Sequence, residues 1–140
     1  MEEKKLSLSQ QIAQLGADLK YEDLPERVVK NSKMFILDLL GNIIASRHVD
    51  SSIACLKAVR ELGDGEPTAT VIGCNYKTTP QMAALINGTF GHAFDMDDDH
   101  RYGTQHSSVV VFPAILALAE KYGKSGKEVL TAFVYGSEIT

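Results

Sequence analysis

Apolar residues recur along most of the chain at the three- and four-residue spacing of amphipathic helices. The first such segment repeats Leu8, Ile12, Leu15 and Leu19 at helical spacing, with Ser7 or Ser9 as the candidate cap. Pro25 stands at the start of the longest apolar segment, where the first turn of a helix tolerates proline. The complete pattern predicts helices at residues 7–20, 25–46, 51–62, 79–94, 109–122 and 126–140.

One short run departs from helical spacing. Residues 69–73, ATVIG, follow the turn sequence 63–67 and end in glycine, which is typical of a short strand. Asn87-Gly88 usually marks a hairpin, but its flanks lack strand alternation, so we keep it within a helix. We therefore predict an all-α fold with at most a short β segment near 69–73, in a single helical domain spanning 1–140.

Three positions within the predicted helices carry further expectations. The second half of helix 25–46 is apolar on nearly all sides, which predicts a central helix, with Asp38 satisfied by a neighbouring helix end or a lysine. Pro113 predicts a kink in helix 109–122 or a late start near Phe112. Gly88 and Gly91 lie on one helical face and would let another backbone or a ligand approach closely.

Composition narrows the class of protein. The chain has 140 residues, of which 44% are hydrophobic and 23% charged, as in an ordinary globular protein. A net charge of −4 without a basic run argues against nucleic acid, and no apolar run approaches the roughly 20 residues of a membrane span. Cys55 and Cys74 fit neither a metal motif nor a disulfide framework, so we expect buried thiols in a reducing cytoplasm.

The most polar stretch is Gly91–Ser108, GHAFDMDDDHRYGTQHSS. It contains four aspartates, three of the four histidines of the chain and one arginine, between two apolar helical segments. Ionisable side chains between two apolar helices are costly to bury unless they are paired. We therefore expect this stretch to form the polar lining of a pocket.

Three kinds of chemistry fit these residue types. A calcium loop beginning at Asp95 fails at its sixth position, which is His100, and at its twelfth, which is His106. A divalent transition-metal site could use some of Asp97, Asp98, His100 and His106, but no metal-ligand spacing supports it. Acid–base chemistry needs an aspartate beside a histidine that titrates near neutral pH. Helix capping and solvated loop charge remain the simpler explanation for any single aspartate.

Several segments together resemble one known family. Tyr21–Ala45 is similar to the N-terminal signature of the MmgE/PrpD family, which includes 2-methylcitrate dehydratase, cis-aconitate decarboxylase and iminodisuccinate epimerase. ATVIG followed by AALINGTFGHAFDMDDDH resembles the family's Asn-Gly helix and acidic motif. QHSSVVVFPAILALAE resembles its His-Pro-Ser segment and the helix that follows. The resemblance covers nearly the whole chain and corresponds to the N-terminal helical region of the family.

Six residues are candidates for the site, four from the resemblance and two, His100 and Arg101, from their place in the same stretch. Asp95 matches the family's active-site aspartate and His106 matches the histidine of its His-Pro-Ser segment, so these two would be catalytic. Ser107 replaces the usual proline, and Asp99 stands where many members have a threonine that lines the pocket. The residues expected to bind substrate are Asp99, His100, Arg101 and Ser107.

The resemblance also implies a reaction class. Family members act on small di- or tricarboxylates, without an obligatory metal or other cofactor, and form dimers. The implied function is that of a lyase or isomerase that transfers a proton next to a carboxylate. His106 would act as acid and base, and Asp95 would orient it or share the proton.

Family members are several times longer than this chain, and their remaining active-site histidine and lysines lie beyond its last residue. Substrate carboxylates need cations or amide donors, and only Arg101 and the histidines stand near the site. We therefore expect half a pocket, in a fragment, a truncated product or one part of a split enzyme. The alternative function is a catalytically silent helical domain that serves only in assembly.

Overall fold

The computed structural model describes residues 6–62 and 65–140, and within them the chain is mostly helical, as predicted. Gly63 and Asp64, at the start of the turn expected after the third helix, lie outside these residues. The elements are α1 Leu8–Asp18, α2 Glu26–Ser46, α3 Asp50–Leu62, β1 Ala69–Val71, β2 Tyr76–Thr78, α4 Pro80–His92, α5 Ser107–Tyr122 and α6 Gly126–Ile139. A single 3₁₀ turn, Tyr21–Asp23, joins α1 to α2.

Local capping sets several helix ends. Ser7, Thr79 and Ser125 each accept a hydrogen bond from a backbone N–H in the first turn of α1, α4 and α6. In α6, Glu128 accepts hydrogen bonds from the Ser125 backbone and from Lys124, and these bonds lower the pKa of the Glu128 carboxyl to about 2. Such sequence-local contacts explain why the predicted helix bounds agree with the structure to within a few residues.

The centre of the fold is α4. It packs against α5, α2, α3 and both strands. Its Ile86 and Phe90 are fully buried, together with Leu39 and Ile43 of α2. The prediction that α2 is the central helix was wrong, because Met34, Phe35, Leu37 and Ile44 of α2 remain exposed.

Gly91 allows α4 to approach both of its main neighbours closely. A β-carbon at this position would lie 2.7 Å from Leu39 Cδ1 of α2 and 2.7 Å from Val109 Cγ2 of α5. The glycine face was expected to admit another backbone or a ligand, but the groups close to Gly91 are side chains, and a β-carbon at Gly88 would lie 3.7 Å from the Val109 carbonyl oxygen. This contact also brings the C-terminal end of α4 close to the N-terminal end of α5.

The predicted β segment is part of a hairpin whose second strand the sequence pattern did not indicate. Ala69 pairs with Thr78 and Val71 with Tyr76, in antiparallel register, and Gly73 lies in the turn with φ +74°. Asn87 of α4 accepts from Ile72 N at 2.9 Å and donates to the Thr70 carbonyl at 2.9 Å. Asn87 is therefore a helical residue that fixes the hairpin to α4.

Two local expectations need correction. Of the two alternatives at Pro113, the late start near Phe112 is wrong, because helix α5 already starts at Ser107, where the Asp98 carboxylate accepts from Ser108 N at 3.3 Å. Asp38 is exposed, and its carboxylate accepts from Asn42 of the same helix at 3.2 Å rather than from a helix end or a lysine.

Within residues 6–62 and 65–140, no helix combines the length and the apolar character needed to span a membrane.

We predict opposite effects of alanine at two helical glycines. Gly91→Ala should lower the free energy of unfolding by about 1–3 kcal/mol, because its methyl group would overlap Leu39 and Val109. Gly41→Ala is the matched control, and it should raise stability by about 0.5–1 kcal/mol because nothing lies within 4 Å of the added carbon. Urea unfolding followed by circular dichroism measures both. Equal effects would contradict the packing described for Gly91.

Candidate active site

Four ionisable side chains meet where α4 ends and α5 begins. His92 is the last residue of α4, Asp95 and Asp97 lie in the loop that follows, and His106 immediately precedes α5. One nitrogen or carboxylate oxygen from each of the four lies within 4.8 Å of those of the other three. The close packing of α4 on α5 thus assembles a compact polar cluster from residues up to 14 positions apart.

Asp97 is the buried member of the cluster, with a side chain that is 0% exposed. Its Oδ1 lies 2.9 Å from His92 Nδ1 and its Oδ2 lies 3.2 Å from His106 Nδ1. Asp97 Oδ2 and His106 Nδ1 have no other polar partner among the described residues, although their mutual contact departs from ideal hydrogen-bond geometry. Each oxygen of one carboxylate therefore faces one imidazole ring.

Asp95 is the solvent-exposed member, with 76% of its side chain accessible. Its backbone has φ +53°, a left-handed conformation that aspartate tolerates better than most residues, and its N–H donates to the His92 carbonyl at 3.0 Å. Its Oδ1 lies 3.9 Å from His92 Nε2 and 3.8 Å from His106 Nε2. Both rings thus lie between a buried carboxylate and an exposed one.

The two imidazole rings also touch each other. Their centroids are 4.6 Å apart with an interplanar angle of 70°, and 50% of the His92 side chain and 28% of the His106 side chain are exposed. Accessible imidazoles beside carboxylates can accept and donate protons near neutral pH. The arrangement suits acid–base chemistry at the surface facing Asp95.

The same four residues could hold a metal ion, since two imidazoles and two carboxylates are ligands that divalent transition metals accept. The metal alternative considered from the sequence grouped Asp97, Asp98, His100 and His106. Only Asp97 and His106 of that set belong to the cluster. Asp98 instead faces the first turn of α5.

The residues expected to bind substrate are not among the four residues of the cluster. Asp99, His100 and Ser107 line a neighbouring cavity of about 380 Å³, which does not include the four residues of the cluster. The charged residues that also line this cavity are Arg27, Asp98 and Glu138. Arg101 is exposed and does not belong to the lining of this cavity.

His100 makes local contacts that hold the loop. Its Nδ1 accepts from Gly103 N at 2.9 Å, its backbone N–H donates to the Gln105 carbonyl at 2.8 Å, and its carbonyl accepts from Thr104 N at 2.8 Å. These bonds close a tight turn over residues 100–105. One ring nitrogen of His100 is thereby occupied by the backbone, and its expected role in substrate binding stays a prediction.

Sequence reasoning placed Asp95 and His106 together and left His92 without a role. His92 stands three residues before Asp95, at the end of a predicted helix, a spacing that puts the two side chains on neighbouring positions of one turn. This spacing was the available signal for His92. No signal in the sequence indicated that Asp97 would be the buried aspartate, because Asp97, Asp98 and Asp99 are consecutive residues of the same type.

Comparison with known proteins identifies the family. The profile of the MmgE/PrpD N-terminal domain matches residues 10–140. The chain therefore belongs to the MmgE/PrpD family, as the motifs indicated.

Individual relatives agree with this assignment. The chain is 35% identical over 128 residues to the cis-aconitate decarboxylase-like protein oryM of Aspergillus oryzae, covering 86% of the chain and 26% of that protein. It is 31% identical over 143 residues to cis-aconitate decarboxylase of Homo sapiens and 29% identical over 141 residues to that of Aspergillus terreus. Those two matches cover 95% and 96% of the chain and 28% of each relative. The chain thus spans little more than a quarter of the length of these relatives.

Proposed function

We propose that this chain supplies part of the active site of a lyase or isomerase that transfers a proton next to a carboxylate. The observation that carries the proposal is the position of His106, whose Nε2 lies 3.8 Å from the exposed carboxylate of Asp95. Relatives named as cis-aconitate decarboxylases make a small di- or tricarboxylate the proposed substrate class. Dehydration, decarboxylation and epimerisation all fit a site of this kind.

In this proposal His106 carries the proton to or from carbon. A neutral imidazole with an accessible ring nitrogen can take a proton, and the nearby anion of Asp95 stabilises the imidazolium that results. Asp95 would orient the ring or share the proton. The proposed chemistry uses these side chains alone, without a metal ion.

The cluster lacks the positive charge that a carboxylate substrate requires. Asp95 and Asp97 make the site electronegative, while the lysine ion pairs of the described chain lie elsewhere, at Lys57–Glu61, Lys124–Glu128 and Lys127–Glu22. Substrate carboxylates bind best to arginine, lysine or backbone amides. We therefore propose that the cationic groups come from protein outside these 140 residues, in the same or a partner chain.

A second candidate is that the chain by itself is silent and acts only in assembly. The exposed apolar side chains of α2, which include Met34, Phe35 and Leu37, favour this candidate as a contact for a second copy. The two candidates are compatible, because a dimerising domain can also carry half of an active site.

We predict that turnover in the native protein containing this region depends on His106 far more than on Asp98. His106→Gln keeps size and some hydrogen bonding but removes the titrating group, so turnover should fall roughly 100-fold or more while the helical spectrum is unchanged. Asp98→Asn is the matched control and should cost much less, since an asparagine can still accept from Ser108 N. Steady-state kinetics on cis-aconitate and related di- and tricarboxylates measure both variants. Equal losses would contradict the assignment.

A chelator distinguishes this mechanism from metal catalysis at the same four residues. Activity should survive dialysis against a strong chelator. Loss on chelation with recovery on adding a divalent metal would replace the acid–base proposal by the metal alternative.

The purified 140-residue chain should show no dehydration, decarboxylation or epimerisation above background. Its four-residue cluster contains no lysine or arginine, and positioning together with electrostatic stabilisation supplies most of the barrier reduction in such reactions. Chromatographic detection of product from citrate-like substrates tests this. Turnover by the isolated chain would show that the missing charges are not required.

The chain should self-associate at micromolar concentration through the exposed face of α2. Leu37→Glu would place a charge on that face and should shift sedimentation toward monomer, whereas Leu62→Glu on α3 should not. A wild-type chain that sediments only as monomer would count against the proposed dimer.

A further inference from the structure

We propose that Asp97 is the positioning residue of this site and that His92 is a second proton-carrying group, paired with His106. The chemistry assigned to His92 rests on the proposed lyase or isomerase function. The positioning role of Asp97 rests only on the geometry of the cluster.

Asp97 dictates which nitrogen of each ring carries the proton. An ionised carboxylate can only accept hydrogen bonds, and a buried one is costly unless both of its oxygens face donors. The groups facing Asp97 Oδ1 and Oδ2 are His92 Nδ1 and His106 Nδ1, at 2.9 and 3.2 Å, and its side chain is 0% exposed. The hydrogen bond to Asp97 Oδ1 requires a proton on His92 Nδ1, and the same tautomer of His106 would give Asp97 Oδ2 its nearest donor.

The opposite ring nitrogens are consequently free for chemistry. A neutral imidazole protonated on Nδ1 has its lone pair on Nε2. The two Nε2 atoms both face Asp95 Oδ1, at 3.9 and 3.8 Å, distances too long for a hydrogen bond. Asp97 thus turns two proton-accepting atoms toward the same solvent-exposed position.

His92 meets the same requirements as His106. Each ring contacts Asp97 through Nδ1 and approaches Asp95 through Nε2, and the His92 side chain is the more exposed of the two, at 50% against 28%. The rings are in contact, with centroids 4.6 Å apart, so one bound substrate can reach both. Nothing in the geometry assigns proton transfer to His106 alone.

With two adjacent imidazoles, one ring can remove a proton from a bound substrate and the other ring can donate a proton to it. When one Nε2 removes a proton, a C–H bond breaks, an N–H bond forms, and the electron pair stays on the carbon next to the carboxylate. The neighbouring ring, if already protonated on Nε2, gives its proton to the substrate and becomes neutral. The pair returns to its starting state once the two rings exchange protons with solvent.

The tautomer of each ring tests the positioning role directly. Nitrogen-15 NMR of the imidazole rings distinguishes a protonated Nδ1 from a protonated Nε2 and can be recorded on the 140-residue chain. In the wild type, we expect His92 and His106, when neutral, to be protonated on Nδ1 with Nε2 unprotonated. A neutral ring protonated on Nε2 at either position would overturn the proposal without any variant.

Asp97→Asn provides the second measurement. An amide presents one acceptor and one donor, so at least one of the two rings should switch to the tautomer protonated on Nε2. Asp98→Asn is the matched control one residue along, and it should leave both tautomers unchanged. Tautomers that stay unchanged in Asp97→Asn would overturn the role of Asp97.

Kinetics of the native protein containing this region test His92. His92→Gln should lower kcat by roughly 100-fold, as for His106→Gln, with a smaller change in KM, because the lost group acts on the reacting atoms. A kcat within about threefold of wild type would overturn the role of His92. If the native protein turned over no carboxylate substrate, the proposed function and the role of His92 would fail together, while the tautomer result would still decide the role of Asp97.

Discussion

The close approach of α4 to α5 is the constraint on which the rest of the structure depends. It needs a residue without a side chain at Gly91, because a β-carbon there would lie 2.7 Å from atoms of both α2 and α5. Since Gly91 directly precedes His92, the contact that closes the core also fixes where the site begins. Packing at this one position thus connects the stability of the helical domain to the geometry of its polar loop.

The loop between α4 and α5 places several aspartates beside an apolar core, and each of them has different surroundings. Asp97 is buried and faces two imidazoles, Asp98 faces the first turn of α5, and Asp95 is turned into solvent by a left-handed backbone conformation. A buried carboxylate is tolerated when both oxygens have donors. The histidines therefore serve a structural need and at the same time present their other nitrogens to solvent.

Membership of the MmgE/PrpD family and the composition of the cluster both support the proposal that this chain is one part of an active site. The cluster has two carboxylates and no lysine or arginine, and the lysine ion pairs of the described chain, at Lys57, Lys124 and Lys127, lie elsewhere. The matched region covers 28% of each of these relatives. A division in which one region provides proton transfer and another provides positive charge would explain both observations.

The sequence by itself determined the helices, the family and the pairing of Asp95 with His106 as candidates. Helix bounds depend on contacts a few residues apart, such as the serine caps of α1 and α6, and these can be recognised in a linear pattern. Family membership likewise depends on motifs that are contiguous in the chain, and the profile match over residues 10–140 confirmed it.

Tertiary structure alone decided the rest. Helix α2 looked central because its pattern is apolar on most sides, yet α4 occupies the centre, since burial depends on which faces other elements cover. The strand β2, the place of Asp99 and His100 in the lining of the 380 Å³ cavity, and the burial of Asp97 likewise follow from how distant elements pack. Three consecutive aspartates carry the same chemistry in sequence, and only their positions relative to α4 and α5 give each a different environment.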